Sequence, residues 1–254
     1  MLQQSADWGS VETDWYKVSV SHNYPSSAVY PTLITKSMHV LLFTTTDTDF
    51  QDAASAVESE TRDSNVMLLR GNVLRCSAAE VLMIAGNSFG IMDRGLDLQI
   101  VQEVAGIDVM VKSAIDARGW RGELPVGAAV TLLLPDGARF KYVCYAPTMR
   151  SPGNMAATTH NAYHAMRAAL LACSALPNVN AIACQMFCNE EGGIAIRDVV
   201  RQVQHACDTF QRPLDKNWES VVRSEAILRR EAGHACPIPR TSSSPNLQNF
   251  LHDG

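Results

Sequence analysis

The chain carries no basic surplus: 21 Lys and Arg stand against 26 Asp and Glu, a formal charge of −5. A surface built to grip a phosphate backbone shows basic excess or a basic stripe, so the composition argues against a nucleic-acid partner. No apolar run is long enough to cross a bilayer. The opening, MLQQSADWGSVETDWYK, has neither the basic start nor the apolar stretch of a secretory signal. An intracellular, cytoplasmic protein without membrane attachment is expected. The seven cysteines, Cys76, Cys144, Cys173, Cys184, Cys188, Cys207 and Cys236, are odd in number and mostly lie in apolar runs, which fits reduced thiols. Cys184 and Cys188 have no second Cys/His pair at zinc-finger spacing. His160 and His164, in HNAYH, lack the Glu that follows the first His of a zinc-protease helix. No metal and no cofactor is expected. There is no GK[ST] ending of a P-loop, and GNSFGIMDRG does not fit the dinucleotide fingerprint. Aromatics are sparse, 7% in all, yet Trp8, Trp15, Tyr16, Tyr24 and Tyr30 gather near the N-terminus. Aromatics are scarce in disordered tails, so residues 1–36 read as an extension with partial order.

What the chain does hold is apolar content, 46% of 254 residues, enough for a real core. It is arranged in a rhythm. MHVLLFT (38–44), NVMLLRG (65–71), EVLMIAG (80–86), GAAVTLLL (127–134), FKYVCYAP (140–147) and VNAIACQMF (179–187) read as strands. Between them 47–60, 96–106, 107–119, 157–175 (with a Thr cap) and 196–210 read as helices, the last with Ile196, Val199, Val200, Val203 and Ala206 on one face. Alternating elements imply a sheet covered on both faces, and continuous apolar strands fit burial on both sides. The PDG turn between two neighbouring strands adds an antiparallel pair, so the sheet is expected to be mixed. A further amphipathic helix covers 215–235, and the Ser/Pro/Asn-rich residues 239–254 read as a flexible tail.

In open α/β sheets, ligands bind outside the carboxyl ends of strands. Two strand ends here are unusual. AGNSFGIMDRGLD (85–97) follows a strand and enters a helix, with exposed-looking Phe89 and Met92. FCNEEGGIA (187–195) does the same. Glycine turns before helices can aim backbone N–H groups at an anion, aided by the helix dipole. They can equally be ordinary turns using glycine for its positive φ.

Taken in order, LLRGNV, AGNSFGIMDRGLDLQI, GELPVGAAVTLL, YAPTM, NAYHAMRAALLA and EEGGIAIRDVVRQVQHACD resemble a macro domain, the ADP-ribose-binding fold. The likeness spans Met38 to Phe210 and is nearest to bacterial- and phage-type members. It implies an α/β protein, a three-layer α/β/α sandwich with a mixed central sheet. Residues 37–211 would form the domain, 212–238 a C-terminal helix on or beside it. The implied partner is ADP-ribose or an ADP-ribosylated protein.

The resemblance also implies roles. Asn87 matches the Asn that binds the distal ribose, and Asp97 the Asp implicated in activating water in hydrolytic members. Gly95 matches the last glycine of the diphosphate loop; Gly192 and Gly193 match glycines of the second phosphate loop. Asn72 stands where the family usually has an Asp that recognises the adenine amine, and Val73 offers a backbone N–H. Ser88, Phe89, Arg94, Asn189 and Ile194 complete the expected ligand set, with Phe89 as a flat wall for a sugar. Three departures bear on this. Arg94 replaces a glycine, either crowding the cradle or adding a guanidinium clamp. Asn72 replaces the Asp. Asn189, Glu190 and Glu191 stand where the family runs small and glycine-rich. Asp93 is a rival carboxylate whose ordinary role is to satisfy loop amides. Cys188 borders the second loop without an identifiable base, so packing is its expected role. Three readings follow: a hydrolase of ADP-ribosyl linkages, a reader that binds without turnover, and an interaction scaffold with altered loops.

Overall fold

The computed structural model describes residues 37–59, 65–117, 119–153, 155–156, 159–189 and 192–229. All of these belong to one compact unit that begins at Thr35. The N-terminal extension 1–36, Cys236, Glu190, Glu191, the tail 239–254 and the end of the C-terminal helix reading lie outside the described residues.

Six strands form one sheet: β1 His39–Thr44, β2 Val66–Arg70, β3 Val81–Ile84, β4 Val130–Leu133, β5 Tyr142–Tyr145 and β6 Ala181–Gln185, in the order β2-β1-β6-β3-β5-β4. The pairs β1–β2, β1–β6, β3–β6 and β3–β5 are parallel, and β4–β5 is antiparallel across the turn at PDG. The mixed sheet is therefore as expected. The carboxyl ends of five parallel strands share one edge, which positions everything below.

The helices are α1 Asp47–Ser59, α2 Gly95–Glu103, α3 Ile107–Ala117, α4 Asn161–Ser174, α5 Ile196–Gln211 and α6 Trp218–Leu228. Strand side chains alternate between faces. Val40 and Leu42 join Met83 and Cys184 on one face, under Ala53 of α1, Ala165 and Leu170 of α4 and Val199 and Val203 of α5. Leu41 and Phe43 join Leu82 and Ile84 on the other, under Ile100 of α2 and Ile107, Val111 and Ile115 of α3. The result is the three-layer α/β/α sandwich.

Some local expectations need correction. The helix expected from 157 begins at Asn161, with His160 at its N-cap and no side-chain cap. The Thr159 hydroxyl instead donates to Asn161 Oδ1, 2.7 Å away. Met92 is not exposed but packs in the core beneath α2 and α3. Helix α6 begins at Trp218 rather than at 215, and the part of that reading beyond Arg229 lies outside the described residues. It sits on α5 through His205 Nε2 and Ser224 Oγ, 2.6 Å apart. His160 of α4 faces Glu225 of α6 at 3.6 Å. Burial lowers the pKa of both His160 and His164, with Glu225 opposing.

Candidate functional site

A cleft of about 370 Å³ opens at the carboxyl edge of the parallel strands. Pockets of this order suit small ligands. Thr45 follows β1, Asn72 follows β2, Gly86 and Asn87 follow β3, Thr148 and Met149 follow β5, and Phe187–Asn189 follow β6. Asp93–Asp97 and Gly192 close the walls. The two loops singled out in the sequence thus face a common space, as strand-end binding requires.

The first loop is built around Asn87, 4% exposed. Its Oδ1 accepts the N–H of Phe89 (3.1 Å) and of Ile91 (3.2 Å), and its Nδ2 donates to Ile91 O at 2.7 Å. Two accepted bonds use both lone pairs of the carbonyl; one hydrogen of Nδ2 remains for a ligand. Asn87 is therefore loop organiser and donor at once. Behind it, Ser88 turns away from the cleft, its N–H bonded to Met149 O (3.0 Å) and Arg150 O (3.2 Å). Phe89 does not line the cleft either; the Arg150 guanidinium lies 5.1 Å from its ring centroid, and Arg150 is held in turn by Glu123 at 2.8 and 3.1 Å.

The loop ends at Gly95, φ +55°, where α2 begins. Arg94 occupies the N-cap, so Asp97 is not the cap but lies within the first helical turn, at the cleft wall. The N-cap residues of α2 and α5, Arg94 and Ala195, make no side-chain cap hydrogen bond. Helix starts carry N–H groups without intrahelical partners and a positive dipole end. Gly95, Leu96 and Asp97 put such a start on the cleft. The Arg94 Nε is 3.1 Å from Asp93 Oδ1, and that hydrogen bond holds the Asp93 carboxyl below its ordinary pKa. The Arg94 guanidinium is thus tied along the rim.

In the second loop Cys188 has φ +64° and Gly193 has φ +70°. The N–H of Ile194 returns to Cys188 O (2.9 Å), and that of Gly193 to Asn189 O (2.9 Å). The Gly192 carbonyl accepts the N–H of Met155 at 3.0 Å. Asn189 and Gly192 line the cleft, whereas Gly193 and the buried Ile194 do not. Burial pushes the Cys188 thiol up to about 12, offset in part by a hydrogen bond from Thr148, so it is a packing thiol and not a thiolate nucleophile.

At the far end, Asn72 caps the short 3-10 helix Val73–Arg75, its Oδ1 accepting the N–H of Leu74 at 2.9 Å. Val73 is buried in the core. Asn72→Asp would keep this cap and leave a second carboxylate oxygen for a ligand amine. A charged acceptor binds more strongly than a neutral one. If the cleft takes ADP-ribose with its adenine at Asn72, as the resemblance implies, the substitution tightens it by up to about 1 kcal/mol, as read by calorimetry; unchanged or weaker affinity would mean that Asn72 is not aimed at the base.

No protein-family model and no curated protein matches the chain. Solved structures do. The macrodomain of Mycobacterium tuberculosis DarG is 20% identical over 56% of this chain and 88% of that one, with a TM-score of 0.47. The macrodomain of Thermus aquaticus DarG is 22% identical over 55% and 88%, with a TM-score of 0.46. A mutant Oceanobacillus iheyensis macrodomain, solved with ADPR, is 14% identical over 62% and 86%, with a TM-score of 0.47.

The cleft also recruits residues that sequence reading had assigned no role: Thr45, Asp49, Gln185, Thr148, Met149 and Pro152. Thr148 and Met149 belong to YAPTM, directly after a strand. Applying the strand-end rule to every parallel strand would have found them.

Proposed function

We propose that the cleft binds ADP-ribose or a close derivative, free or carried on a modified protein. The observation that supports this best is the convergence of two glycine loops and a helix start on one cleft at the carboxyl ends of parallel strands. Backbone N–H groups at such a place suit a diphosphate. Arg94 adds a cation at the rim, and Asn87 offers an N–H donor to a ribose hydroxyl. A ligand that binds only the folded state stabilises it by mass action. Millimolar ADP-ribose is expected to raise the melting temperature; a folded protein with no shift would count heavily against the reading.

We further read Asp97 as the group that works on water near the anomeric carbon, making the protein a hydrolase of ADP-ribosyl linkages. Its place in the same cleft as Asn87 supports this. One observation favours a reader without turnover: the Asn87 amide already spends three hydrogen bonds on its own loop, which leaves it little to give a reacting sugar. Release of ADP-ribose from mono-ADP-ribosylated protein separates the two.

A further inference from the structure

We propose that Tyr145 is a positioning residue for ligand binding: its hydroxyl bridges the backbone N–H and C=O of Asn87 and so sets where the first loop leaves the sheet. The phenol accepts the Asn87 N–H at 2.9 Å and donates to the Asn87 C=O at 2.7 Å. Tyr145 is fully buried at the end of β5, paired with Ile84 of β3. Beyond that pair the two strands stay joined by Ala146 N–H to Ile84 O and Thr148 N–H to Gly86 O, each 2.9 Å, and by an isolated parallel bridge between Asn87 and Met149. The phenol thus adds a side-chain clasp on the Asn87 backbone at the point where β3 gives way to the loop.

The sequence is cut to fit this ring. A Cβ on Gly86 would overlap the Tyr145 hydroxyl and ring carbons, so glycine is required there by space and not by φ. With its backbone held from below, Asn87 can spend its amide on Phe89 and Ile91, and this folds the loop that leads to Gly95 and Asp97. The chain of support runs from Tyr145 to the Asn87 backbone, to the Asn87 amide, to the cleft wall. Burial raises the phenol's pKa, and the Asp97 carboxylate raises it further. The hydroxyl therefore stays protonated and keeps donating at any ordinary working pH.

The consequence for affinity rests on the ADP-ribose reading; the consequence for the loop does not. Tyr145→Phe keeps the ring and removes both bonds. Val143→Ala, two residues earlier in the same core, serves as a matched destabiliser that leaves the Asn87 lock in place. Each variant is measured for melting temperature, for ADP-ribose affinity by calorimetry, and for hydrogen exchange of the 87–91 amides without ligand. Tyr145→Phe is expected to weaken ADP-ribose about tenfold, as loss of buried backbone pairing would, and to speed exchange at 87–91. Val143→Ala is expected to lower the melting temperature while leaving affinity and that exchange near wild type. Wild-type affinity in Tyr145→Phe, or equal weakening in Val143→Ala, would overturn the proposal. If the wild type binds no ADP-ribose, the functional reading fails and exchange alone decides: unchanged protection of 87–91 in Tyr145→Phe would overturn the role of Tyr145. Should that variant fold poorly, the wild type still answers, because rapid exchange of its Asn87 amide would be incompatible with the lock.

Discussion

If the protein is the hydrolase proposed above, Asp97→Ala is expected to lower kcat for release of ADP-ribose from a mono-ADP-ribosylated protein by roughly 10²–10⁴, the range for a positioned general base. The argument begins with place. Asp97 sits in the first turn of α2, on the wall of the cleft that Asn87 floors. Charge at the anomeric carbon changes between ground and transition state, and only interactions that strengthen during that change accelerate the step. Affinity for ADP-ribose itself should move little, because the loops and Arg94 are left intact. A structural role predicts something else. A carboxylate in the first turn favours the helix through the dipole, worth about 0.3–1 kcal/mol, and its removal would lower the melting temperature modestly. Melting temperature and single-turnover hydrolysis measured on the same variant distinguish the two. A stability loss with turnover unaltered would remove Asp97 from the chemistry. Asn87→Ala should impair binding and turnover together, since it undoes the three bonds that shape the loop.

The layers of the fold were legible because their signals are local. Continuous apolar runs such as VLMI and AIACQ declare buried strands, whereas VMLLR is an edge strand with Met67 exposed; the period of VVRQV assigns α5 its inner face. The PDG turn announces the antiparallel pair β4–β5. The strand-end rule located both loops of the cleft. What the sequence did not declare depends on partners far apart in the chain. Nothing near Gly86 says that its missing Cβ makes room for Tyr145, and nothing near Ser88 says that its N–H reaches Met149 and Arg150. Nothing near Phe89 says that the Arg150 guanidinium lies 5.1 Å from its ring centroid. Met92 looked exposed because its neighbours are turn residues, although its side chain passes under α2 and α3. Asn87 is the instructive case. The macro-domain resemblance implied a ribose-binding side chain, and the structure shows most of its hydrogen-bonding capacity used by Phe89 and Ile91 within its own loop.

Gly192→Ala should damage the cleft far more than Gly193→Ala, although the two glycines are adjacent. A Cβ on Gly192 would drive into the Cys188 carbonyl and the terminal methyl of Met155. Met155 is flexible enough to move aside, but the Cys188 carbonyl is backbone and already accepts the Ile194 N–H at 2.9 Å. Relief therefore requires the loop itself to shift, and overpacking of this kind costs about 1–3 kcal/mol. Because Cys188, Asn189 and Gly192 all line the cleft, the shift should also weaken ADP-ribose, by about tenfold for each 1.4 kcal/mol by which the loop's hold on the ligand declines. Gly193 has the opposite problem. Its φ of +70° is strained for any residue with a side chain, while the space around it is open. Alanine there costs about 1–2 kcal/mol of backbone strain, and it points no atom into the cleft, which Gly193 does not line. The two variants are thus expected to melt at similarly lowered temperatures and to differ in ADP-ribose affinity, with Gly192→Ala much the weaker binder. Equal affinities would show that the second loop contributes nothing to the ligand, and the diphosphate would then have to be held by the α2 start and Arg94 alone.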